Sequence, residues 1–131
     1  LVLHKNHLDS PLAVLRYLGG FEIAAMVGSY LQCAKSGLPV IIDGFISSVA
    51  ALCAEQICPE SRHWFLFSHH SAEPGHGAIL QAIDAQPLVN FNMRLGEASG
   101  AAVAIPLLRM ACALHNQMAT FEEAAIAGAI S

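Results

Sequence analysis

The chain has 131 residues, of which 55% are hydrophobic and 12% are charged, and its formal net charge is −4. A chain of this size forms one domain at most, with room for a real core. The acidic balance argues against nucleic acid as a partner, because phosphate binding needs clustered Lys and Arg. So few charged groups cannot cover a domain surface, and we expect a partner surface or a larger protein to cover part of it.

The sequence offers no segment suited to crossing a membrane. The longest apolar run, residues 101–114, is interrupted by Pro106 and Arg109 and is shorter than the roughly 20 residues that a span needs. The first residues lack the charged-then-apolar pattern of a signal peptide. The cysteines show no paired spacing, which favours small core residues in a reducing compartment and hence the cytoplasm; they are Cys33, Cys53, Cys58 and Cys112.

Two helices are predicted before the first strand. Residues 9–11 (Asp-Ser-Pro) supply a capping side chain and a proline at the first helical position, and Gly19 and Gly20 end that helix. Residues 21–36 form the second helix, with Gly37 as its C-cap. The alanines and glycine of this second helix predict close packing against a neighbour.

Two short apolar runs, residues 38–43 and 63–68, predict strands buried on both faces, because their hydrophobic residues do not alternate with polar ones. A helix over residues 47–57 lies between them. Helix and strand alternate, so we predict an α/β fold: a parallel sheet flanked by helices in a Rossmann-like three-layer arrangement. Residues 1–131 are expected to form one segment without repeats or linkers.

The second half of the chain is predicted to hold a polar loop, three helices and one ambiguous segment. The longest helix is apolar nearly all round and is kinked or locally opened at Pro106, which lacks an N–H. Thr120 is predicted to cap the last helix, whose first turn is acidic. The bounds are 69–75 for the loop, 76–83, 98–118 and 121–130 for the helices, and 86–93 for a segment that could be strand or loop.

Polar residues follow both predicted strands. Ligands of parallel sheets bind beyond the carboxyl ends of the strands, so residues 43–45 and 68–75 should lie on one rim. Asp43-Gly44 could cradle an anion with backbone N–H groups or be a plain strand-to-helix turn. The loop that contains His69, His70 and Ser71 could contact a phosphate or ribose, hold a metal such as zinc, or be a plain surface loop. We expect no metal, since His69 and His70 point apart in an extended chain and no Cys lies near.

Glu97 lies between Gly96 and Gly100, just ahead of the long apolar helix. It could complement the helix dipole, lie in solvent, or act as a base in a crowded, partly dry pocket, and we favour the base. Burial would raise the pKa of its carboxyl and N–H donors would lower it, so the direction stays open. Glu22 and Glu73 are the other candidate carboxylates, and Glu22 fits the dipole interpretation.

Four segments, in order and in register over about residues 11–123, closely resemble the nicotinate-nucleotide–dimethylbenzimidazole phosphoribosyltransferase family. They are residues 18–26, residues 43–47, Ser68-His69 with Ser71-Ala72-Glu73, and Arg94-Leu95-Gly96-Glu97 with Ser99-Gly100-Ala101. The family makes α-ribazole 5′-phosphate for the lower ligand of cobalamin. The resemblance implies transfer of the phosphoribosyl group of nicotinate mononucleotide to 5,6-dimethylbenzimidazole, without a cofactor and in a homodimer.

The resemblance also assigns residues. It implies Glu97 as the catalytic base, and it places the phosphoribosyl site at Gly44, Ser71 and the backbone of Leu95 and Gly96. Ala98 stands where the family usually has Gly, which adds a methyl group beside the base.

Family members are more than twice this long, and the chain resembles only their C-terminal part, so we expect it to be inactive alone. Two alternatives stay open: transfer to a phenolic or other benzimidazole acceptor, and a non-catalytic α/β module that binds a nucleotide or a partner chain.

Overall fold

The structure is a computed structural model that describes residues 2–124. It contains five α-helices and two strands within that range, and its elements follow in this order: a 3₁₀ helix (Val2–His7), α1 (Pro11–Leu18), α2 (Phe21–Lys35), β1 (Val40–Ile42), α3 (Phe45–Ile57), a 3₁₀ helix (Pro59–Trp64), β2 (Phe65–Phe67), α4 (His76–Ala82) and α5 (Ser99–Gln117). The predicted α/β class with a parallel sheet flanked by helices is confirmed, in a smaller sheet than the predicted strands suggested.

The helix ends follow from local chemistry. Ser10 Oγ accepts a hydrogen bond from Ala13 N–H at 3.2 Å, and Pro11 occupies the first position of α1, as predicted. Gly37, just past α2, adopts a left-handed φ of 69°, which glycine adopts at little cost.

β1 and β2 pair in parallel, with Val40 opposite Phe65 and Ile42 opposite Phe67. Both strands are shorter than predicted, and β2 starts later because residues 59–64 form a 3₁₀ helix instead of the start of a strand. The prediction that both strands are buried on both faces is wrong. In β1 only Ile42 is fully buried. In β2 Leu66 is exposed between two buried phenylalanines. Its apolar run therefore alternates in burial without alternating in polarity.

The ambiguous segment 86–93 is largely irregular. Val89 forms one parallel bridge with His69, and its N–H donates to Ser68 O at 3.1 Å. The segment thus extends the sheet on the far side of β2 by a single residue pair. It positions the loop after β2 through a second bond, from His70 N–H to Val89 O at 2.8 Å.

The core lies where the sheet meets α2, α3 and α4. Ile42, Phe65 and Phe67 pack there against three buried alanines of α3, namely Ala50, Ala51 and Ala54. Small side chains let α3 approach the sheet closely, which fixes its N-terminus near the end of β1. Val27 and Tyr30 complete the core from α2.

Large apolar side chains remain outside this core. Phe21 is 96% exposed, and Ala24, Ala25 and Gly28, for which we predicted close packing, are also exposed. A Cβ on Gly28 would have no neighbouring atom within 4 Å among the described residues. The core therefore uses a different face of α2, and the small-residue face is left without a neighbour in the part of the chain that the structure describes.

α5 runs unbroken through Pro106 and buries only Gly100 and Ala104. After it, Thr120 and Glu123 exchange the hydrogen bonds of a capping box: Glu123 N–H donates to Thr120 Oγ1 at 3.2 Å, and Thr120 N–H donates to a Glu123 carboxylate oxygen at 2.8 Å. Residues 121–124 form a turn, and the rest of the predicted last helix lies outside the described residues. None of the helices within residues 2–124 is long and apolar enough to cross a membrane.

Candidate active site

A cleft of about 740 Å³ lies beyond the carboxyl ends of β1 and β2. Its walls come from the turn after β1, the loop after β2 and the segment before α5, with side chains of α2 closing one side. The two polar segments that follow the strands therefore share one rim, as the sheet topology predicted. Of the five residues expected at the site, the cleft is lined by Gly44, Ser71, Gly96 and Glu97.

Leu95 is the exception. It is 78% exposed and does not line the cleft. Only Gly96 of the expected Leu95–Gly96 backbone therefore reaches the cleft in the described residues.

Asp43 ties the end of β1 to the start of α5. Its Oδ1 accepts a hydrogen bond from Ala101 N–H at 2.8 Å, and its backbone carbonyl accepts one from Ser68 Oγ at 2.7 Å. Ala98, the N-cap residue of α5, provides no side-chain acceptor for the free N–H groups of the first turn. Asp43 supplies that acceptor from 58 residues away in sequence.

The turn after β1 leads directly into α3. Ser47 Oγ accepts a hydrogen bond from Gly44 N–H at 2.8 Å and donates one to Gly44 O at 3.0 Å, which holds the turn tightly. The first N–H groups of α3 have no acceptor within a helix, and the N-terminal end carries the positive end of the dipole. This end of the cleft is suited to an anion.

His76 holds the loop after β2 from beneath. Ser71 N–H donates to His76 Nδ1 at 2.9 Å, so Nδ1 is an acceptor and Nε2 carries the proton, which it donates to Ser48 Oγ at 3.0 Å. Burial lowers the pKa of the fully buried His76, and the neighbouring imidazoles of His70 and His69 lower it further. The neutral imidazole thus fixes Ser71 beside the cleft. The loop after β2 is therefore anchored to the protein core and is not a free surface loop.

His69 fills the space between the rim segments. It is 4% exposed, its Nδ1 lies 3.2 Å from Ser68 Oγ, and its ring lines the cleft. A Cβ on Gly100 would overlap this ring, and a Cβ on Gly44 would touch its Cε1 at 3.4 Å. The absence of a side chain at Gly100 is what allows the ring to lie there, whereas a methyl group on Gly44 would fit at ordinary contact distance.

Glu97 lies on the open side of the cleft. The backbone of Gly96, Glu97 and Ala98 is left-handed, with φ of 77°, 54° and 60°, and Glu97 lines the cleft from this turn. Left-handed backbone costs a residue with a Cβ about 1–2 kcal/mol. Glu97 is exposed in the described residues, so the crowded, partly dry surroundings that the sequence suggested are absent from this part of the chain.

An ion pair marks the rim beside Glu97. Arg94 Nε lies 3.4 Å from a carboxylate oxygen of Glu73, both side chains are partly exposed, and both line the cleft. The guanidinium brings positive charge to a cleft that also holds Asp43 and Glu97. It can bind a phosphate or carboxylate group of a ligand.

Sequence reasoning missed two contributions from α2. Met26 and Tyr30 close one wall of the cleft, and burial, with a smaller contribution from the Asp43 carboxylate, raises the pKa of Tyr30 to about 12. They lie on the core-facing side of an ordinary apolar helix, so no local signal marks them. The role of Asp43 did leave a signal, because the start of α5 at Ala98 has no side chain able to cap it.

Within residues 2–124 no group of three or more His, Cys, Asp or Glu side chains is arranged to hold a metal ion. His69 and His76 lie edge to face with ring centroids 6.4 Å apart, and the nitrogens of His76 are both used within the protein.

The chain matches known proteins over nearly its whole length. A family model described as phosphoribosyltransferase matches residues 1–126. Nicotinate-nucleotide–dimethylbenzimidazole phosphoribosyltransferases of Ectopseudomonas mendocina and Azotobacter vinelandii are 59% and 58% identical to the chain over 127 and 129 residues. Those alignments cover 97% and 98% of this chain but 36% and 37% of the two relatives.

A solved structure of the corresponding protein from Thermus thermophilus superposes with a TM-score of 0.88 at 39% identity. The superposition covers 97% of this chain and 38% of the Thermus thermophilus chain. The chain therefore spans little more than a third of the length of the curated relatives it matches.

Proposed function

The chain belongs to the nicotinate-nucleotide–dimethylbenzimidazole phosphoribosyltransferase family, and from this membership we propose the activity of the protein that contains it. That activity is transfer of the phosphoribosyl group of nicotinate mononucleotide to 5,6-dimethylbenzimidazole. The products are α-ribazole 5′-phosphate, for the lower ligand of cobalamin, and nicotinate. Residues 1–131 would correspond to the C-terminal part of that enzyme.

One observation carries the proposal. Three segments that are far apart in sequence meet around a single cleft at the carboxyl ends of the strands, bringing together Gly44, Ser71 and Glu97. A carboxylate, a helix N-terminus and an arginine around one opening are the groups that this transfer needs. The substrate has a phosphate to anchor, and the acceptor has a proton to lose.

We propose Glu97 as the general base. One ring nitrogen of dimethylbenzimidazole attacks C1′ of the nucleotide, and the bond from C1′ to the pyridinium nitrogen breaks with its electron pair leaving on nicotinate. The other ring nitrogen gives its proton to the Glu97 carboxylate, so the benzimidazole ring of the product is uncharged. Attack on the face opposite to nicotinate converts a β-nucleotide into an α-nucleotide. No second carboxylate is needed, because no water is activated.

We assign the phosphate to the anion-binding end of the cleft. The first turn of α3 after Gly44 offers backbone N–H groups, and Ser71 lies across from it on the loop that His76 holds. We assign the carboxylate of nicotinate to the side of the cleft where Arg94 adds positive charge. Negative charge at Glu97 also favours the oxocarbenium-like ribosyl centre as nicotinate leaves.

The deciding experiment replaces Glu97 with Gln in the longest natural protein that contains this chain, hereafter the full protein. Loss of a general base lowers kcat by about 10²–10⁴-fold. Binding of nicotinate mononucleotide should stay within about threefold, because the change is isosteric and lies on the acceptor side. Transfer is measured by chromatography of α-ribazole 5′-phosphate, and binding by calorimetry.

Glu60→Gln is the matched control. Glu60 has an 87% exposed side chain and precedes β2, so it lies near the amino ends of the strands, away from the cleft at their carboxyl ends. It should keep wild-type turnover and affinity. Turnover of Glu97→Gln close to that of Glu60→Gln would remove Glu97 from the mechanism.

We also propose a homodimer in the cytoplasm. Support for the dimer comes from the many exposed apolar side chains, among them Leu3, Phe21 and Met118. Support for the compartment comes from the four cysteines, all free in the structure. Analytical ultracentrifugation of the full protein at micromolar concentration tests the first, and a monomer there would refute it.

A further inference from the structure

His69 carries a free hydrogen-bond acceptor into the cleft. The ring is 4% exposed and packs tightly against Gly100, with Gly44 on the side of its Cε1 atom. Nδ1 is 3.2 Å from Ser68 Oγ, whereas Nε2 has no hydrogen-bond partner among residues 2–124. The Cε1–Nε2 edge of the ring faces the turn at Gly44, which forms the proposed phosphoribosyl site.

The tautomer of the neutral His69 ring follows from the hydrogen bonds of Ser68. Its hydroxyl proton is donated to Asp43 O at 2.7 Å, because a carbonyl can only accept. Ser68 Oγ therefore has only lone pairs to offer His69, and Nδ1 must be the donor in the 3.2 Å contact. The neutral ring then has its proton on Nδ1 and an unshared electron pair on Nε2.

An acceptor in the cleft wall selects a ligand group that donates. The phosphate and the carboxylate of nicotinate mononucleotide are both acceptors at neutral pH, and its pyridinium nitrogen carries no proton. The 2′ and 3′ hydroxyls of the ribose are the donors that this nucleotide has. We propose that His69 Nε2 accepts a hydrogen bond from a ribose hydroxyl of the bound nucleotide and so selects a ribosyl over a deoxyribosyl donor, an inference that rests on the proposed function.

Two substitutions separate binding from packing in the full protein. Asn in place of His69 keeps an N–H donor near the Nδ1 position for Ser68 and has no atom at Nε2. Gln in place of His69 carries an acceptor oxygen to the Nε2 position. His63→Asn is the matched control, because the His63 side chain is 76% exposed and lies near the amino end of β2, away from the cleft.

Calorimetric titration with nicotinate mononucleotide alone, without acceptor, gives the first readout. His69→Asn should weaken binding by about 3- to 10-fold, the worth of one neutral hydrogen bond, while His69→Gln and His63→Asn stay within about twofold of wild type. Repeating the titration with the 2′-deoxy and 3′-deoxy nucleotides gives the second readout. The His69→Asn penalty should vanish for the analogue that lacks the partner hydroxyl and persist for the other.

The possible results distinguish this inference from the proposed function. Equal His69→Asn penalties for the nucleotide and both deoxy analogues would mean that the ring only packs, and they would overturn the inference. Failure of the wild-type protein to bind nicotinate mononucleotide at all would refute the proposed function instead.

A third readout needs no substitution. In ¹⁵N NMR of the wild-type imidazoles, His69 should show a proton on Nδ1 and none on Nε2, and nucleotide should shift Nε2 in the direction of an accepted hydrogen bond. A proton on Nε2 in the free protein would also overturn the inference.

Discussion

Replacing Asp43 with alanine removes the acceptor that holds the first turn of α5. Asp43 Oδ1 lies 2.8 Å from Ala101 N, and no side chain at Ala98 can take its place. A hydrogen bond to a charged group contributes about 1.5–3 kcal/mol, and loss of an N-cap acceptor costs about 0.5–2 kcal/mol. The two ranges overlap at about 1.5–2 kcal/mol, which is the expected fall in the free energy of unfolding.

Asp43→Asn is the matched variant. It keeps an oxygen acceptor for Ala101 N–H and loses only the attraction between the carboxylate and the helix dipole, about 0.3–1 kcal/mol. Urea unfolding of the full protein, followed by circular dichroism, should therefore rank wild type first, Asp43→Asn second and Asp43→Ala last. Both variants remove the negative charge near Tyr30, so both should lower the pKa of Tyr30 from about 12 in an alkaline absorbance titration.

The same variants test the link to chemistry, because Glu97 lies four residues before Ala101 at the start of the helix. Asp43→Ala should lower the kcat of phosphoribosyl transfer, and Asp43→Asn should restore most of it. Equal destabilisation by the two variants, or less than about 0.5 kcal/mol by either, would show that the carboxylate does not anchor α5. A kcat unchanged in Asp43→Ala would separate the anchor from the catalytic step.

Two further predictions concern backbone strain and acid. Ala98→Gly should raise the free energy of unfolding by about 0.5–1 kcal/mol in urea melts, because glycine relieves the left-handed φ of 60° but loses part of that gain to unfolded-state entropy. Ala111→Gly, in the regular part of α5, is the control and should lower the free energy of unfolding by about 1 kcal/mol. Equal effects of the two substitutions would contradict the argument. Because the pKa of His76 is lowered in the folded protein, the unfolded chain takes up a proton at this residue first as the pH falls. The contribution of neutral His76 to stability is therefore complete above about pH 6.5 and is lost as the pH falls below that value. The slope of unfolding free energy against pH should be up to about 1.4 kcal/mol per unit shallower in His76→Gln, and an unchanged slope would exclude His76 as the cause.

Much of this fold could be predicted because its signals are local. The start of α1 needs only a capping serine followed by proline, and both lie side by side at Ser10 and Pro11. The position of the cleft can be predicted from one rule, that ligands of a parallel sheet bind beyond the carboxyl ends of its strands. Such signals survive in a single sequence, because neighbouring residues decide the outcome.

The failures share a different cause, which is dependence on distant contacts. The 3₁₀ helix before β2 and the exposure of Leu66 depend on which elements pack against that strand. The wall that Met26 and Tyr30 provide depends on which face of α2 turns toward the sheet. The surroundings of Glu97 depend on a run of left-handed residues, one of them an alanine, which composition alone does not predict.

The imidazole of His69 packs against Gly100 and links two stretches of chain that are far apart in sequence. A methyl group on Gly100 would collide with the ring, whereas one on Gly44 would lie at ordinary contact distance, 3.4 Å from Cε1. Substitutions at His69 and Gly100 should be strongly non-additive, since shrinking the ring creates the room that a side chain at position 100 lacks. Over evolutionary time the pair is therefore expected to change together or stay fixed, and a combinatorial library should vary the two positions as one unit.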